Sequence, residues 1–347
     1  MKIIDIEKAN ERIDPYVRRT PLERSEALSQ LLGTNVYVKY ELFQKTGSFK
    51  ARGAFNKLLS LSEEERAKGV VAVSGGNHAQ AVAYASKILG SDAVILMPES
   101  TPKNYVDATL DYGATVDLQP TIAEAFDEIE RYKSEGRVFV HPFDDDLVMA
   151  GQGTLGLEIL EDCPQVTDVI LSIGGGGLMG GVATALKASG RGSGANERAE
   201  MQKPARSKGE TIQSDRDSGA NKRVSNTIRI WGVETVGADA MTQALASDKP
   251  VQLDAITSIA KTLGAPAVSD ATLALCKKYL ESVTVVTDAE AVAALHFIAE
   301  RLKVITEPAA SCTLAAAEKL KANFNADSHL VLILCGGNVS LNDVCSY

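Results

Sequence analysis

Lys50 stands in the segment Glu41 to Arg52, ELFQKTGSFKAR, and it is the residue around which the chemistry of the chain can be arranged. An amine enclosed by folded protein loses its proton more readily than one in water, which makes it a nucleophile able to form an imine with an aldehyde cofactor. One lysine among many decides nothing, so the reading depends on what the chain sets beside it. Gly174, Gly175, Gly176 and Gly177 follow the apolar run VILSI and open a helical stretch. A turn of that kind aims several peptide N–H groups at a phosphate, with the helix dipole behind them. A ligand-free strand-to-helix connection is the other reading, although four glycines are entropically costly for that purpose. No Gly-Lys-Ser/Thr follows, which sets aside a nucleotide P-loop, and the spacing is not the usual dinucleotide fingerprint.

Ser74, Gly75, Gly76, Asn77 and His78 come directly after the apolar run VVAV, the favoured place for binding residues in open α/β sheets. The Ser74 hydroxyl and neighbouring N–H groups suit a carboxylate, while Asn77 suits a phenolic oxygen or an imine. The same segment also reads as a helix N-cap. His78 reads as structural even within this turn, because Lys50 is the more economical proton carrier. Near the other end, VLILC runs into Gly336, Gly337 and Asn338. Cys335 either faces a heteroaromatic nitrogen as a weak neutral partner or is a small buried hydrophobe. A neutral partner would not enforce protonation of a pyridine ring, and so favours prompt loss of a β-leaving group over a long-lived carbanion. Cysteine and histidine nowhere take zinc-site spacing. Glu234 with the Ala238 carbonyl is either a cation site or a capping or surface carboxylate. Asp144, Asp145 and Asp146, shortly after a proline, read as a solvated turn rather than a hard-metal cluster.

These residues need elements to hold them. A helix is expected over Ile6 to Ile13, a strand over Asn35 to Lys39, and a helix from about Phe49 with Phe55, Leu58 and Leu59 on its buried face. From Gly69 strands alternate with helices: VVAVS before His78 to Leu89, AVILMP before Lys103 to Tyr112, and Thr115 to Leu118 before one helix over Ile122 to Ser134. Short apolar runs separated by helices imply parallel strands with right-handed crossovers. After the VILSI unit, strands are expected at Ile228 to Glu234, Val283 to Val286 and Leu330 to Leu334. Helices are expected at Ala238 to Ala246, Ser269 to Leu280 and Asp288 to Arg301. Arg191 to Val224 is polar and charged, cannot bury enough apolar surface to offset its ordering entropy, and reads as a flexible surface insertion.

With 347 residues, 45% of them hydrophobic, the chain can bury a substantial core divided between two lobes. A net charge of -9 with dispersed basic residues carries no phosphate-backbone footprint, so nucleic acid is not an expected partner. The five cysteines are an odd number and widely spaced, which suits thiols in a reducing compartment. The start of the chain lacks the apolar stretch of a signal peptide, and no run is long enough to cross a bilayer. The cytoplasm is therefore expected, with no membrane partner. No regulatory region is expected after Tyr347.

The ordered set SFKARGA, SGGNHAQ, HPFDDDLVMAGQGT, GGGGL, GVE, TEPAA and CGGNVS resembles the threonine and serine dehydratases, or ammonia-lyases, and their serine racemase cousins. These are tryptophan-synthase-like, fold type II pyridoxal phosphate enzymes, and the likeness covers nearly the whole chain outside Arg191 to Val224. It implies an α/β fold of two open twisted domains with the active site between them. Residues 1–50 and 147–347 would form the larger, cofactor-binding domain and 51–146 a smaller mobile one. Lys50 would carry pyridoxal 5'-phosphate and shuttle the α-proton. Phe49 would pack beside the ring, Asn77 would contact its 3-hydroxyl, and Gly174 to Leu178 would cradle the phosphate. Cys335 would sit at the pyridine nitrogen where many relatives have serine. Ser74, Gly75, Gly76, Asn77 and His78 would form the substrate-binding turn, Ser74 having a catalytic part as well.

The implied reaction is α,β-elimination of a hydroxy amino acid, L-threonine or L-serine first, to a 2-oxo acid and ammonia. Eukaryotic racemases commonly have a second serine where this chain has Gly75, and asparagine where it has Phe143, which favours elimination. The alternatives are a specialised 3-hydroxyaspartate or phenylserine dehydratase, or a serine racemase with side elimination activity. The resemblance also implies a homodimer and, through Glu234 and Ala238, a Mg2+ site, although Ala240 stands where aspartate is expected. Without the C-terminal regulatory region of biosynthetic threonine dehydratases, isoleucine feedback is not expected.

Overall fold

The computed structural model describes residues 1–188 and 227–347, so the insertion expected at 191–224 lies outside the described residues. Ten described strands build the frame: β1 Leu22–Arg24, β2 Asn35–Tyr40, β3 Val70–Val73, β4 Ala93–Pro98, β5 Thr115–Gln119, β6 Val138–Phe139, β7 Asp168–Ser172, β8 Arg229–Thr235, β9 Ser282–Val286 and β10 His329–Leu334. They form a six-stranded sheet in the order β1-β2-β10-β7-β8-β9 and a four-stranded sheet in the order β5-β4-β3-β6. Every pairing is parallel except β1 with β2. The three-residue β1 was not anticipated, because LER is too short and polar to show a strand period.

Register explains why distant segments meet. Leu334 lies beside Tyr40, and Leu332 beside Ile170, so β2, β7 and β10 end along one edge of the larger sheet. That edge delivers Glu41 to Lys50, Gly174 to Gly177 and Gly336 to a common region, the usual position for sites in open α/β sheets. From the smaller sheet, β3 delivers Ser74 to Asn77.

Two long helices were missed, for different reasons. Asp146–Asp162 includes GQGTLG, a poor helix former by composition, yet its glycines are the points of closest approach to neighbouring helices. A Cβ at Gly151 would lie 2.6 Å from the Arg52 carbonyl oxygen, and one at Gly53 2.7 Å from the Val148 carbonyl oxygen, so this helix and Lys50–Leu59 touch backbone to backbone. Pro308–Lys319 is buried continuously from Pro308 to Ala317 and so lacks the one-sided apolar stripe that marks a surface helix. The helix expected over Ile122 to Ser134 is two, Ile122–Asp127 and Ile129–Ser134. Between them Glu128 has ψ of −15°, and the Arg131 N–H donates to its carbonyl at 3.2 Å, a tightened turn. The aspartate run is more than a solvated turn: Asp145 caps Asp146–Asp162 through the Leu147 and Val148 N–H groups and pairs with Lys57 at 2.6 Å.

Beneath the Lys50 helix lies a buried charge cluster. Arg52 meets Glu41 through two bonds of 2.8 Å and Glu158 at 2.6 Å, and Lys39 meets the other Glu158 oxygen at 2.5 Å. Glu41 directly follows β2, Glu158 belongs to Asp146–Asp162, and Arg52 is in the first turn of Lys50–Leu59, so the cluster fixes three elements at once. Arg52→Leu leaves two buried carboxylates short of a partner. It is expected to lower unfolding stability by about 3–5 kcal/mol in urea melts of the cofactor-free protein. A loss below about 1 kcal/mol would show that the cluster does not anchor this helix.

Candidate active site

Lys50 is the first residue of Lys50–Leu59, and the preceding segment is tied down. Ser48 forms an isolated bridge with Gly336, and the Phe49 N–H donates to the Cys335 carbonyl at 3.1 Å. The side chain is partly open to a cleft, and its Nζ donates to the Pro142 carbonyl at 2.7 Å. Burial lowers the Lys50 pKa from 10.5 to about 8, against the opposing pull of Cys335 and Glu307. The positive end of its own helix also disfavours a cation there.

Across the cleft, Gly174 to Gly177 pass from β7 into the helix Gly177–Ala188. Side chains are excluded from this turn by its surroundings. A Cβ at Gly175 would enter the Phe143 ring, one at Gly177 would lie 2.9 Å from the Phe143 Cα, and Gly176 has φ of +93°. The result is a bare backbone turn at a helix N-terminus, suited to an anion.

Phe49, Lys50, Asn77, Gly174 to Gly177, Leu178 and Cys335 share this one cleft. Asn77 is held at both ends: its Nδ2 donates to Glu307 at 2.8 Å, and its Oδ1 accepts from Asn338 Nδ2 at 2.8 Å. Asn338 Nδ2 also donates to the Thr46 carbonyl at 2.7 Å, and the Tyr105 hydroxyl donates to the Asn338 carbonyl. Glu307 is buried beside the Lys50 amine and the Thr262 hydroxyl. Its pKa is raised to about 7 by burial, partly offset by hydrogen bonds from Asn77 and Thr262 and by the Lys50 charge. Burial pushes the Cys335 thiol well above its ordinary range, so it is neutral, and it donates to the Ala309 carbonyl at 3.7 Å.

Sequence reasoning missed Glu307 as a site residue, although Pro308 directly after it is a helix-start signal that places it at an N-cap. The Pro142 carbonyl, Ser172, Thr262 and Leu263 were missed as well, since no local pattern marks a residue that meets the site only through the fold.

Other expected residues sit differently. Ser74, Gly75 and Gly76 form the turn before Asn77–Leu89 rather than the cleft wall. The Ser74 hydroxyl accepts the Gly76 N–H at 3.1 Å, and the helix N-cap position belongs to Gly76, not Ser74. His78 is not among the residues lining the cleft: its Nε2 donates to the Val140 carbonyl at 2.9 Å, and burial, with the nearby Lys50 charge, lowers its pKa to about 3. It supports the backbone, as its structural reading expects. The structure does not support the expected Mg2+ site. Glu234 spends Oε1 on the Met241 N–H and Oε2 on the Thr242 N–H and hydroxyl, at 2.8, 2.8 and 2.6 Å, because it caps the helix Ala240–Ser247. Ala238 turns its N–H back to the Thr235 carbonyl, and Ala240 supplies no carboxylate. Among the described residues, no group of three or more His, Cys, Asp or Glu side chains could hold a metal ion.

The family model described as pyridoxal-phosphate dependent enzyme matches residues 13–336. The chain belongs to that family. It is 36% identical over 341 residues to the L-threonine ammonia-lyase of Thermotoga maritima, covering 97% of this chain and 76% of that one. It is also 36% identical over 348 residues to the L-threonine dehydratase catabolic TdcB of Staphylococcus aureus, covering 98% and 90%. Among solved structures it is similar to maize serine racemase, with a TM-score of 0.84, 34% identity and coverage of 99% and 96%. The processed form of threonine deaminase isoform 2 from Solanum lycopersicum gives a TM-score of 0.83 at 31% identity, covering 99% and 85%. The fold is thus that of the tryptophan-synthase-like, fold type II enzymes. The cleft fits the cofactor of this family on its own geometry: a nucleophilic amine on one side, and on the other a helix-terminal turn that admits no side chain.

Burial of Lys50 has a measurable consequence for stability. Between about 8 and 10.5 the unfolded chain binds a proton at Lys50 that the folded chain does not, so stability rises with pH across that window. Cofactor-free Lys50→Met should exceed the wild type in unfolding free energy at pH 7, with the gap closing as pH approaches 10.5. A pH-independent gap would show that the amine is not shifted. For the capping carboxylate, Glu234→Ala should cost about 1–2 kcal/mol in chemical unfolding while millimolar Mg2+ leaves the wild-type melting temperature unchanged. A Mg2+-dependent rise in melting temperature that Glu234→Ala removes would restore the metal assignment.

Proposed function

We propose that this pyridoxal-phosphate enzyme is an ammonia-lyase that converts L-threonine or L-serine to a 2-oxo acid and ammonia by α,β-elimination. The observation that carries the reading is the Lys50 amine, lowered to about 8, facing the bare Gly174 to Gly177 turn across a single cleft. The names of the two relatives at 36% identity support this substrate class. Elimination is further supported at Gly75, which offers no second hydroxyl and where a Cβ would lie 2.6 Å from Thr101 Oγ1.

When bound, pyridoxal phosphate supplies a carbonyl that condenses with amines and a ring that takes up electron density from Cα. The protein does the rest. Lys50 would take the Cα proton, the β-hydroxyl departing with it as water overall, its pKa lying near the operating pH as a general base requires. The N–H groups of Gly174 to Gly177 hold the phosphate. Ser74 to Gly76 stand outside the cleft wall in this conformation, and on closure of 51–146 the Ser74 to Asn77 turn would receive the substrate carboxylate through the Ser74 hydroxyl and backbone N–H groups. Asn77, fastened by Glu307 and Asn338, offers a fixed amide to the phenolic oxygen. Cys335, neutral through burial, places no charge at the ring nitrogen. Phe49 and Phe143 keep water from the reacting bonds. The released enamine then tautomerises and hydrolyses in water.

We further propose that 51–146, which carries the four-stranded sheet, closes over the substrate against the remainder, and that the enzyme works as a homodimer in the cytoplasm. The buried thiols of Cys276, Cys312 and Cys335 suit a reducing compartment. Among the described residues, no helix is long and apolar enough to cross a membrane.

A panel of L-threonine, L-serine, phenylserine and 3-hydroxyaspartate, assayed for ammonia and oxo acid with Cα configuration followed in parallel, tests the assignment. Threonine or serine should give the highest kcat/KM, and Lys50→Ala should lower kcat by at least about 10³-fold. Racemisation faster than elimination would favour the likeness to maize serine racemase and overturn the lyase reading.

A further inference from the structure

We propose that His141 is the positioning residue of this site, its Nδ1 holding the turn that presents the Pro142 carbonyl to Lys50 and the Phe143 ring to the glycine cradle. The inference rests on the reading of Lys50 as the cofactor-bearing amine. The chain leaves β6 with the Val140 carbonyl held by His78 Nε2 at 2.9 Å. By Asp146 it must have entered Asp146–Asp162, and between them Pro142 has no N–H to offer a regular turn. The Phe143 and Asp144 N–H groups both turn inward onto His141 Nδ1, at 3.2 and 2.8 Å. Two donors converging on one ring nitrogen require that nitrogen to be a bare acceptor, which puts the ring proton on Nε2.

The turn so closed faces both halves of the site. Its Pro142 carbonyl accepts the Lys50 amine at 2.7 Å. Its Phe143 ring, packed edge-on against His141 with centroids 4.6 Å apart, fills the space that a side chain at Gly175 would need. Phe139 closes the other side of the imidazole, with centroids 5.5 Å apart. Burial keeps His141 neutral, with its pKa near 4, as an acceptor must be. An amine and an anion cradle contributed by different parts of the chain are thereby set against the same short turn.

The test compares His141→Leu, which keeps bulk without an acceptor, with His141→Asn, whose amide oxygen can accept the same two N–H groups. Three readouts are used: cofactor affinity from visible absorbance, the pH dependence of Lys50 acylation in the cofactor-free protein, and the 15N spectrum of the wild-type histidines. The wild type should show the Nε2–H tautomer at His141. His141→Leu should bind cofactor about tenfold more weakly and move the Lys50 titration downward from about 8, because a carbonyl acceptor favours the ammonium. His141→Asn should recover affinity to within about threefold of wild type. An Nδ1–H tautomer, a His141→Leu protein with wild-type affinity and Lys50 titration, or a His141→Asn protein as impaired as His141→Leu would each overturn the proposal. Should His141→Leu fail to fold, the tautomer and the performance of His141→Asn against wild type decide it. The underlying lysine reading fails separately, through a Lys50→Ala protein that keeps the wild-type cofactor spectrum.

Discussion

An amine gives up its proton closer to neutral pH only where water is kept from it, and most of the architecture follows from doing that to Lys50. Burial lowers its pKa although a buried carboxyl and a buried thiol nearby pull the other way. Desolvation prevails because those groups are desolvated too. Glu307 is itself pushed up to about 7 and Cys335 well above its usual range, so near neutral pH neither brings a full negative charge. Burial restrains the charge of all three groups, while Lys50 and Glu307 each favour the other's ionised form.

Keeping an amine dry also requires holding it still, since a flexible lysine would reach for solvent. Two opposite strategies meet on the Lys50 helix. On its inner side, Arg52 is locked into a buried charge cluster with Glu41, Glu158 and Lys39, strong because every partner is present and costly if one is lost. Along its length, Gly53 and Gly151 let the helix press directly onto Asp146–Asp162. At its start, Ser48 and Phe49 are bound to the backbone after β10. The same C-terminal segment reaches Asn77 through Asn338, so the lysine segment, the turn from the smaller sheet and the end of β10 are joined by hydrogen bonds.

The contrast with Glu234 is instructive. It too is a buried carboxylate whose pKa rises to about 7, and by that sign alone it would pass for a functional group. Its oxygens are nevertheless fully engaged by one helix N-terminus, while Glu307 faces the cleft and the Lys50 amine. Perturbed ionisation marks burial; only geometry separates a cap from a site.

The chain by itself determined the strand and helix alternation, the glycine turn after β7, the lysine, and the family, because each is written in contiguous residues whose period or composition carries local physics. It could not show Asp146–Asp162 or Pro308–Lys319. One owes its helix to glycines that matter only through neighbouring helices, and the other is buried all round and shows no stripe. Nor could it place Glu307, Asn338 or the Pro142 carbonyl against Lys50, separated from it by 257, 288 and 92 positions in the chain. Their roles arise when parallel strands end along one edge and bring their loops together. The two readings of SGGNH and of Glu234 were also left open by residue type, since a hydroxyl or carboxylate serves cap and ligand equally well. For Glu234 tertiary structure decided between them by showing which donors each oxygen already has.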